Sequence, residues 1–237
     1  METTVQGLPR SAGRQRHQLS EDVATYVREL IISGRVRPGE FLRIEPVAEA
    51  VGVSNTPVRE GLLLLSGEGF VELVPRRGFM VSEFTKQDVH DLFWAQATMA
   101  GELASRAAKS ISVAELDRLA GVVAAHARAA EVEADEDLVV YGHEFHRSVN
   151  LAANSRRLAT LLGTVVKQLP NRFYISIEGH REDTLRDHPA ILEALRQRRA
   201  KAAGSLMRDH IMSSADELIA MLEKQGMWSV DAHKSTA

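Results

Sequence analysis

The sequence predicts a mainly α-helical protein in two parts: an N-terminal winged helix-turn-helix with a small β-hairpin wing, then an all-α antiparallel bundle. Three observations carry this expectation. Residues 19–82 hold three stretches of helical apolar spacing, stopped by glycines and followed by two short strand-like runs about a turn. From Thr85 to Gln225 the spacing is helical, with no strand pattern. The links between those later helices are short, as antiparallel neighbours in a bundle require.

The totals bound the function. A chain of 237 residues makes one large domain or two ordinary ones, and 44% hydrophobic with 26% charged residues is the composition of a folded, soluble protein. There is no cysteine, so disulfides and thiolate metal sites are excluded and any transition metal must use His, Asp, Glu or Asn. No signal-peptide core and no apolar run of membrane-spanning length is present, so a cytoplasmic location without a membrane partner is expected. Net charge is −3, and residues 1–82 carry ten Lys/Arg against ten Asp/Glu, so any DNA-binding charge must be local.

Residues 1–17 combine Gly7, Pro9 and Gly13 with Arg10, Arg14, Arg16 and His17 and little apolar periodicity, which reads as a mobile basic arm. Order is expected from "LSEDVATYVRELIISG", with Ser20 as N-cap, Val23, Val27, Leu30 and Ile31 as the apolar face, and Gly34 as the stop. Pro38-Gly39 makes a turn, and "EPVAEAVG" is a short helix ended by Gly52. The third helix, "NTPVREGLLLLSG", has Thr56 as its cap and Pro57 in the first position. Leu62 and Leu65 should face the core, while Leu63 and Leu64 point elsewhere and call for a second apolar cover. "FVELVP" and "FMVSEF" about Arg76-Arg77-Gly78 make the hairpin.

Residues 19–82 resemble the DNA-binding domain of the GntR family of bacterial transcription regulators. The match rests on Leu42, Val47-Ala48-Glu49, Gly52-Val53-Ser54, Thr56-Pro57-Val58-Arg59-Glu60, Leu62, Leu65, Glu68-Gly69, Arg77-Gly78 and Val81. Asn55 stands where the family usually has Arg, and Leu63/Leu64 where it is usually polar. The resemblance implies double-stranded operator DNA as the partner. The third helix would enter the major groove by its N-terminal end, presenting Ser54, Asn55, Thr56 and Arg59. Free N–H groups there favour a phosphate, Arg59 can fork onto guanine or phosphate, and Asn55 suits adenine. Arg76, Arg77 and Gly78 at the wing tip would lie over phosphates or a minor groove, and Arg43 is grouped with these contacts.

In the second half Thr85 caps the first helix, Ser112 the second and Ser155 the fourth, while Asn154 ends the third in a left-handed turn. Pro170 should kink or divide the fourth, and Pro189 should hold His188 away from the helical region. Six or seven helices are expected. "EFHRSVNLAANSRRL", "DHPAILEAL" and "LMRDHI" make this half similar to the FCD effector-binding domain of the FadR-like branch of that family. The resemblance implies a divalent metal held by His146, His188 and His210. The family's fourth ligand, an Asp four residues before His146, is Gly142 here, and Gln96 and Ala100 occupy positions often held by Arg and Glu. Zn, Ni or a similar metal would suit three imidazoles. Asn150 is a candidate weak ligand and effector contact, with Gln96 and Arg172 as further effector contacts. His143 is one residue off the ligand position.

The expected division is an arm over 1–18, a DNA-binding domain over 19–82, a helical effector and dimerisation domain over 83–226 and a tail over 227–237. The expected function is that of a homodimeric transcription regulator, a repressor, whose operator affinity a small organic acid changes. No enzyme activity is expected, because no general base, phosphate loop or nucleophile elbow accompanies the histidines. The alternatives are a hydrolase-like three-histidine site and a DNA-binding dimer with no effector.

Overall fold

The computed structural model describes residues 10–132, 134–169 and 181–228. They divide into two units that change over between Phe84 and Thr85 and again between Lys224 and Gln225. The first holds α1 (Arg10–Ile32), β1 (Phe41–Leu42), α2 (Ile44–Val51), α3 (Asn55–Gly67), β2 (Val71–Val74) and β3 (Gly78–Val81).

In this unit α1 packs on α3. Val23, Val27, Ile31, Val58, Leu62 and Leu65 are all buried there, so both helices turn their apolar stripes inward. Gly52 ends α2 in the left-handed region (φ 74°), where glycine bears no Cβ penalty. Between α1 and the sheet, Glu40 N–H donates to Arg37 O across Pro38-Gly39 (3.1 Å), with Gly39 at φ 84°, as a type II turn needs. The wing has three strands, not two. β1 pairs antiparallel with β3 (Phe41↔Met80, Leu42↔Phe79), which also pairs with β2 (Val71↔Val81). A two-residue strand is too short to leave an alternating pattern, so the sequence hides it.

Two helix starts differ from expectation. α1 begins at Arg10, so residues 10–17 of the expected arm are helical, and residues 1–9 lie outside the described ones. Ser20 is therefore no cap: buried inside α1, its single hydroxyl proton is shared between Arg16 O (3.0 Å) and Glu60 Oε2 (2.9 Å), while Arg16 pairs with the Glu60 carboxylate. Both residues that meet Glu60 thus lie within α1, on either side of the expected start. In α3 the N-cap is Ser54 and Pro57 is the third helical residue, where its missing N–H is still one of the unpaired first-turn donors. Leu63 and Leu64 are 53% and 38% exposed, so the expected cover is not found within the described chain.

The second unit is a bundle of α4 (Lys86–Ser110), α5 (Val113–Glu131), α6 (Asp135–Ala152), α7 (Arg156–Val166), α8 (Arg181–Arg196) and α9 (Ala200–Lys224). Thr85 and Ser112 each make a reciprocal capping box: Asp88 N–H donates to Thr85 Oγ1 (3.1 Å) and Thr85 N–H returns to Asp88 Oδ2 (2.7 Å); Ser112 does the same with Glu115. Ser155 precedes α7 without a side-chain cap; its hydroxyl accepts from Arg106 Nη1 instead (3.0 Å). Asn154 takes φ 52° as expected. Pro189 lies inside α8, so His188 is helical, contrary to expectation. Ile191, Leu192, Ala194 and Leu195 are buried in the bundle core, and that packing outweighs the hydrogen bond the proline forfeits to Leu185 O. Pro170 lies outside the described residues.

The α4–α9 contact depends on two glycines. A Cβ on Gly101 would lie 2.8 Å from Gly204 O, and one on Gly204 2.8 Å from Gly101 O. Gly101→Ala should therefore destabilise the protein by about 2 kcal/mol, because backbone rather than a side-chain tip must move. A melting temperature at or above the parent's, as helix propensity alone would give, would show that the helices separate freely.

Candidate functional site

In the first unit Arg43, Ser54, Asn55, Thr56, Arg59, Arg76 and Arg77 are all exposed, and Gly78 is partly buried at φ 105°. Ser54 has extended backbone and makes no side-chain cap, so the first-turn N–H groups of α3 keep their donors for an outside acceptor. Arg59 differs from Arg28, which is 2% exposed, bound to Glu68 at 2.6 Å and stacked over Phe70. Arg28 ties α1 to the end of α3; Arg59 faces outward. At the wing Arg77 lies 4.3 Å from the Phe41 ring centroid, which holds it by a cation–π contact to β1. Arg76 occupies the left-handed region (φ 62°) at the turn, a conformation that non-glycine residues seldom adopt.

In the second unit three helices bring His146 (α6), His188 (α8) and His210 (α9) together, one nitrogen of each lying within 4.8 Å of the others. His210 Nε2 is 3.3 Å from His188 Nε2 and 3.3 Å from His146 Nε2. That spacing is the edge of a tetrahedron with metal–nitrogen bonds of about 2.0–2.1 Å. His210 Nδ1 faces Asp187 Oδ2 at 3.3 Å, so its proton goes to the carboxylate and its Nε2 lone pair is free to coordinate. His188 lies flat on Phe145, with ring centroids 4.0 Å apart and planes at 17°. Its Nδ1 is buried without a hydrogen-bond partner among the described residues. Burial first, then mutual repulsion among the imidazoles, drives His146 and His188 well below the usual histidine value of 6.5. Asp187 is held below the usual carboxylate value by His210's hydrogen bond, against the opposing effect of burial. Three converging imidazoles with one carboxylate behind them fit a divalent metal such as Zn or Ni.

Asp187 was not among the residues singled out from the sequence. The signal was present in "RDHP": a carboxylate next to a candidate ligand. Only the fold shows that it serves His210 rather than His188. His126 was also missed; it is 2% exposed on α5, its ring 5.4 Å from that of His188. Gly142 is buried on α6, with no carboxylate to offer at the position where the resemblance places one.

His146 and His210 open onto a cavity of about 800 Å³ lined, among the described residues, by α4, α6, α7 and α9, with Thr184 of α8. Gln96 and Asn150, two of the candidate effector contacts, line it, and so do Ala100 and His143. Asn150 Oδ1 is buried with no partner in the described residues, an acceptor that a ligand donor would satisfy. Arg147 and Arg156 also line the cavity and were not foreseen; Arg172 lies outside the described residues.

The depressed histidines set a pH dependence. Below 6.5 the unfolded chain takes protons that the folded His146 and His188 refuse, so stability present above 6.5 is lost as pH falls. Metal-stripped protein should melt lower at pH 5.5 than at pH 7.5, each histidine contributing at most about 1.4 kcal/mol per pH unit. A melting temperature that stays flat or rises as pH falls from 7.5 to 5.5 would contradict neutral, buried imidazoles at positions 146 and 188.

Residues 91–213 match the FCD domain family, and residues 19–81 match the family described as bacterial regulatory proteins, gntR family. An uncharacterised HTH-type transcriptional regulator of Bacillus subtilis, YdhC, is 26% identical over 84% of this chain and 90% of its own length. The Glc operon transcriptional activator of Escherichia coli is 26% identical over 83% and 87%. The HTH-type transcriptional repressor RspR of Escherichia coli is 21% identical over 89% and 93%. Among solved structures, McbR/YncC of Escherichia coli superposes with a TM-score of 0.62 at 20% identity, covering 88% of this chain and 98% of that one. A GntR family member from Pseudomonas syringae gives 0.54 at 22% identity, covering 90% of each.

Proposed function

The chain belongs to the FCD-domain family of gntR-type bacterial transcription regulators, and we propose that it is a homodimeric repressor whose hold on operator DNA is weakened by an organic acid. It is a DNA-binding regulator rather than an enzyme, as are the relatives it matches. The observation that carries the effector reading is the meeting of two features: three converging imidazoles, and a cavity that reaches two of them. His146, His188 and His210 would hold a divalent metal, with Asp187 orienting His210 from behind. A metal there supplies a fixed positive point for a carboxylate oxygen. Gln96, Asn150 and His143 then orient the rest of the acid through hydrogen bonds, and Arg147 and Arg156 give the cavity further positive charge. At the other unit the N-terminal turn of α3 reads base edges, while Arg43, Arg76, Arg77 and the Gly78 backbone meet phosphates.

The dimer is proposed because a two-fold operator pairs naturally with two copies of one recognition helix. Similar regulators are named as both activator and repressor. Repression is the sense proposed here, since a ligand that favours one arrangement of the helices weakens any contact needing the other.

The test is a titration of organic acids into the protein–operator complex at fixed salt, with zinc-loaded and chelator-treated protein. Operator affinity should fall about tenfold or more with an effective acid, a coupling of roughly 1.4 kcal/mol, and only when metal is loaded. Affinity unchanged across small and large acids in both forms would leave a DNA-binding dimer with no effector.

A further inference from the structure

We infer that the histidine-lined cavity takes an amphipathic carboxylate whose apolar body lies against Phe93, Leu162, Val166 and Ile211, and that Gly163 leaves room for that body. The inference rests on the proposed effector role of the cavity and names the class of acid. At roughly 30 Å³ per non-hydrogen atom a four-carbon diacid displaces about 240 Å³ and decanoate about 360 Å³, so the cavity of about 800 Å³ admits both and its lining makes the choice. The apolar part of that lining is Phe93, Leu151, Leu162, Val166 and Ile211, and covering it with hydrocarbon is favourable. No Asp or Glu lines the cavity among the described residues, whereas His146, His210, Arg147 and Arg156 do. An acidic head with a long apolar body satisfies both halves of this lining.

Gly163 points the same way. It sits inside α7, where glycine is among the least favourable residues, and its backbone is ordinary helix with no positive φ. A Cβ there would meet none of the described residues within 4 Å, as at the helical Gly67 and Gly121 and unlike Gly61, Gly101 and Gly204; of the three open positions Gly163 is the one that lines the cavity. Neither backbone conformation nor packing against the described residues calls for glycine at 163. Ala159, one turn earlier on the same cavity-lining face, is also small, so α7 presents a shallow wall there. What the absent side chain leaves is cavity volume.

The experiment titrates zinc-loaded full-length protein with butyrate, hexanoate, octanoate, decanoate and succinate by calorimetry, following operator release in parallel. Kd should fall about fourfold for each added methylene up to octanoate. Gly163→Leu should weaken decanoate about tenfold or more, leave butyrate within about twofold, and not lower the melting temperature, because leucine is the better helix former. Butyrate or succinate binding as tightly as octanoate would overturn the inference. So would a Gly163→Leu protein that loses all acids equally or none. If succinate releases the operator and decanoate does not, this inference fails and the sensing role stands. If no acid binds or releases the operator, both fall.

Discussion

Arg59→Ala should cut specific operator affinity thirtyfold or more while leaving the fold intact. A bidentate arginine–guanine contact contributes about 1–3 kcal/mol of discrimination, and the proposed two-fold complex would use it twice, giving about 2–6 kcal/mol. Arg59 lies on α3 five residues after the Ser54 N-cap, on the exposed face of a helix whose other face carries Val58, Leu62 and Leu65. Its truncation removes no buried contact, so the melting temperature should hold. Arg28, buried against Glu68, is the counter-case: its loss would act through stability. Fluorescence anisotropy at constant salt, on an operator and on an unrelated duplex, separates the two possible roles of Arg59. A drop on the operator alone assigns base reading. An equal drop on both duplexes, with a shallower salt slope, would make Arg59 a phosphate contact, and undiminished operator binding would discard the recognition-helix assignment.

His210→Ala should abolish stoichiometric metal binding. His210 is 3.3 Å from each of the other two Nε2 atoms and is the imidazole backed by a carboxylate, so its loss leaves two ligands. With structural zinc sites contributing about 10–16 kcal/mol over their ligands, removal of one should weaken affinity by roughly a hundredfold or more. Asp187→Asn is the finer probe, expected to cost about 10–100-fold by loosening the orientation of a retained ligand. Competition against a chromophoric chelator measures both variants. A parent protein that takes up no metal after loading with zinc or nickel would end the metal reading, as would a His210→Ala protein that binds like the parent.

How much of this was legible depended on the range of each signal. The caps Thr85 and Ser112 could be read because their partners, Asp88 and Glu115, lie three residues on, inside the same turn. Gly52 and Asn154 could be read because a positive φ restricts residue type locally. Leu62 and Leu65 declared their face by spacing alone. The fourth-helix cap misread the same kind of signal: the Ser155 hydroxyl is taken by Arg106, 49 residues away. The start of α1 was misread too, since Ser20 lies within the helix and its hydroxyl is shared with Glu60. Pro189 was misread because a local steric rule was set against burial of Ile191 and Leu195, which no window around residue 189 can weigh.

The sequence by itself determined the class of protein: helical apolar periods, glycine stops and a matched motif set specify a winged helix-turn-helix ahead of a helical bundle, with three histidines to watch. Only the tertiary structure decided what those histidines face. It set Asp187 behind His210, laid Phe145 flat on His188, and left Gly163 and Ala159 as the low wall of a cavity. The physical reason is that a helix's own hydrogen bonds and caps lie within four residues of one another, so a linear reading reaches them. A binding site is made of side chains 42 and 64 residues apart, and their distance and the space between them exist only once the helices have packed.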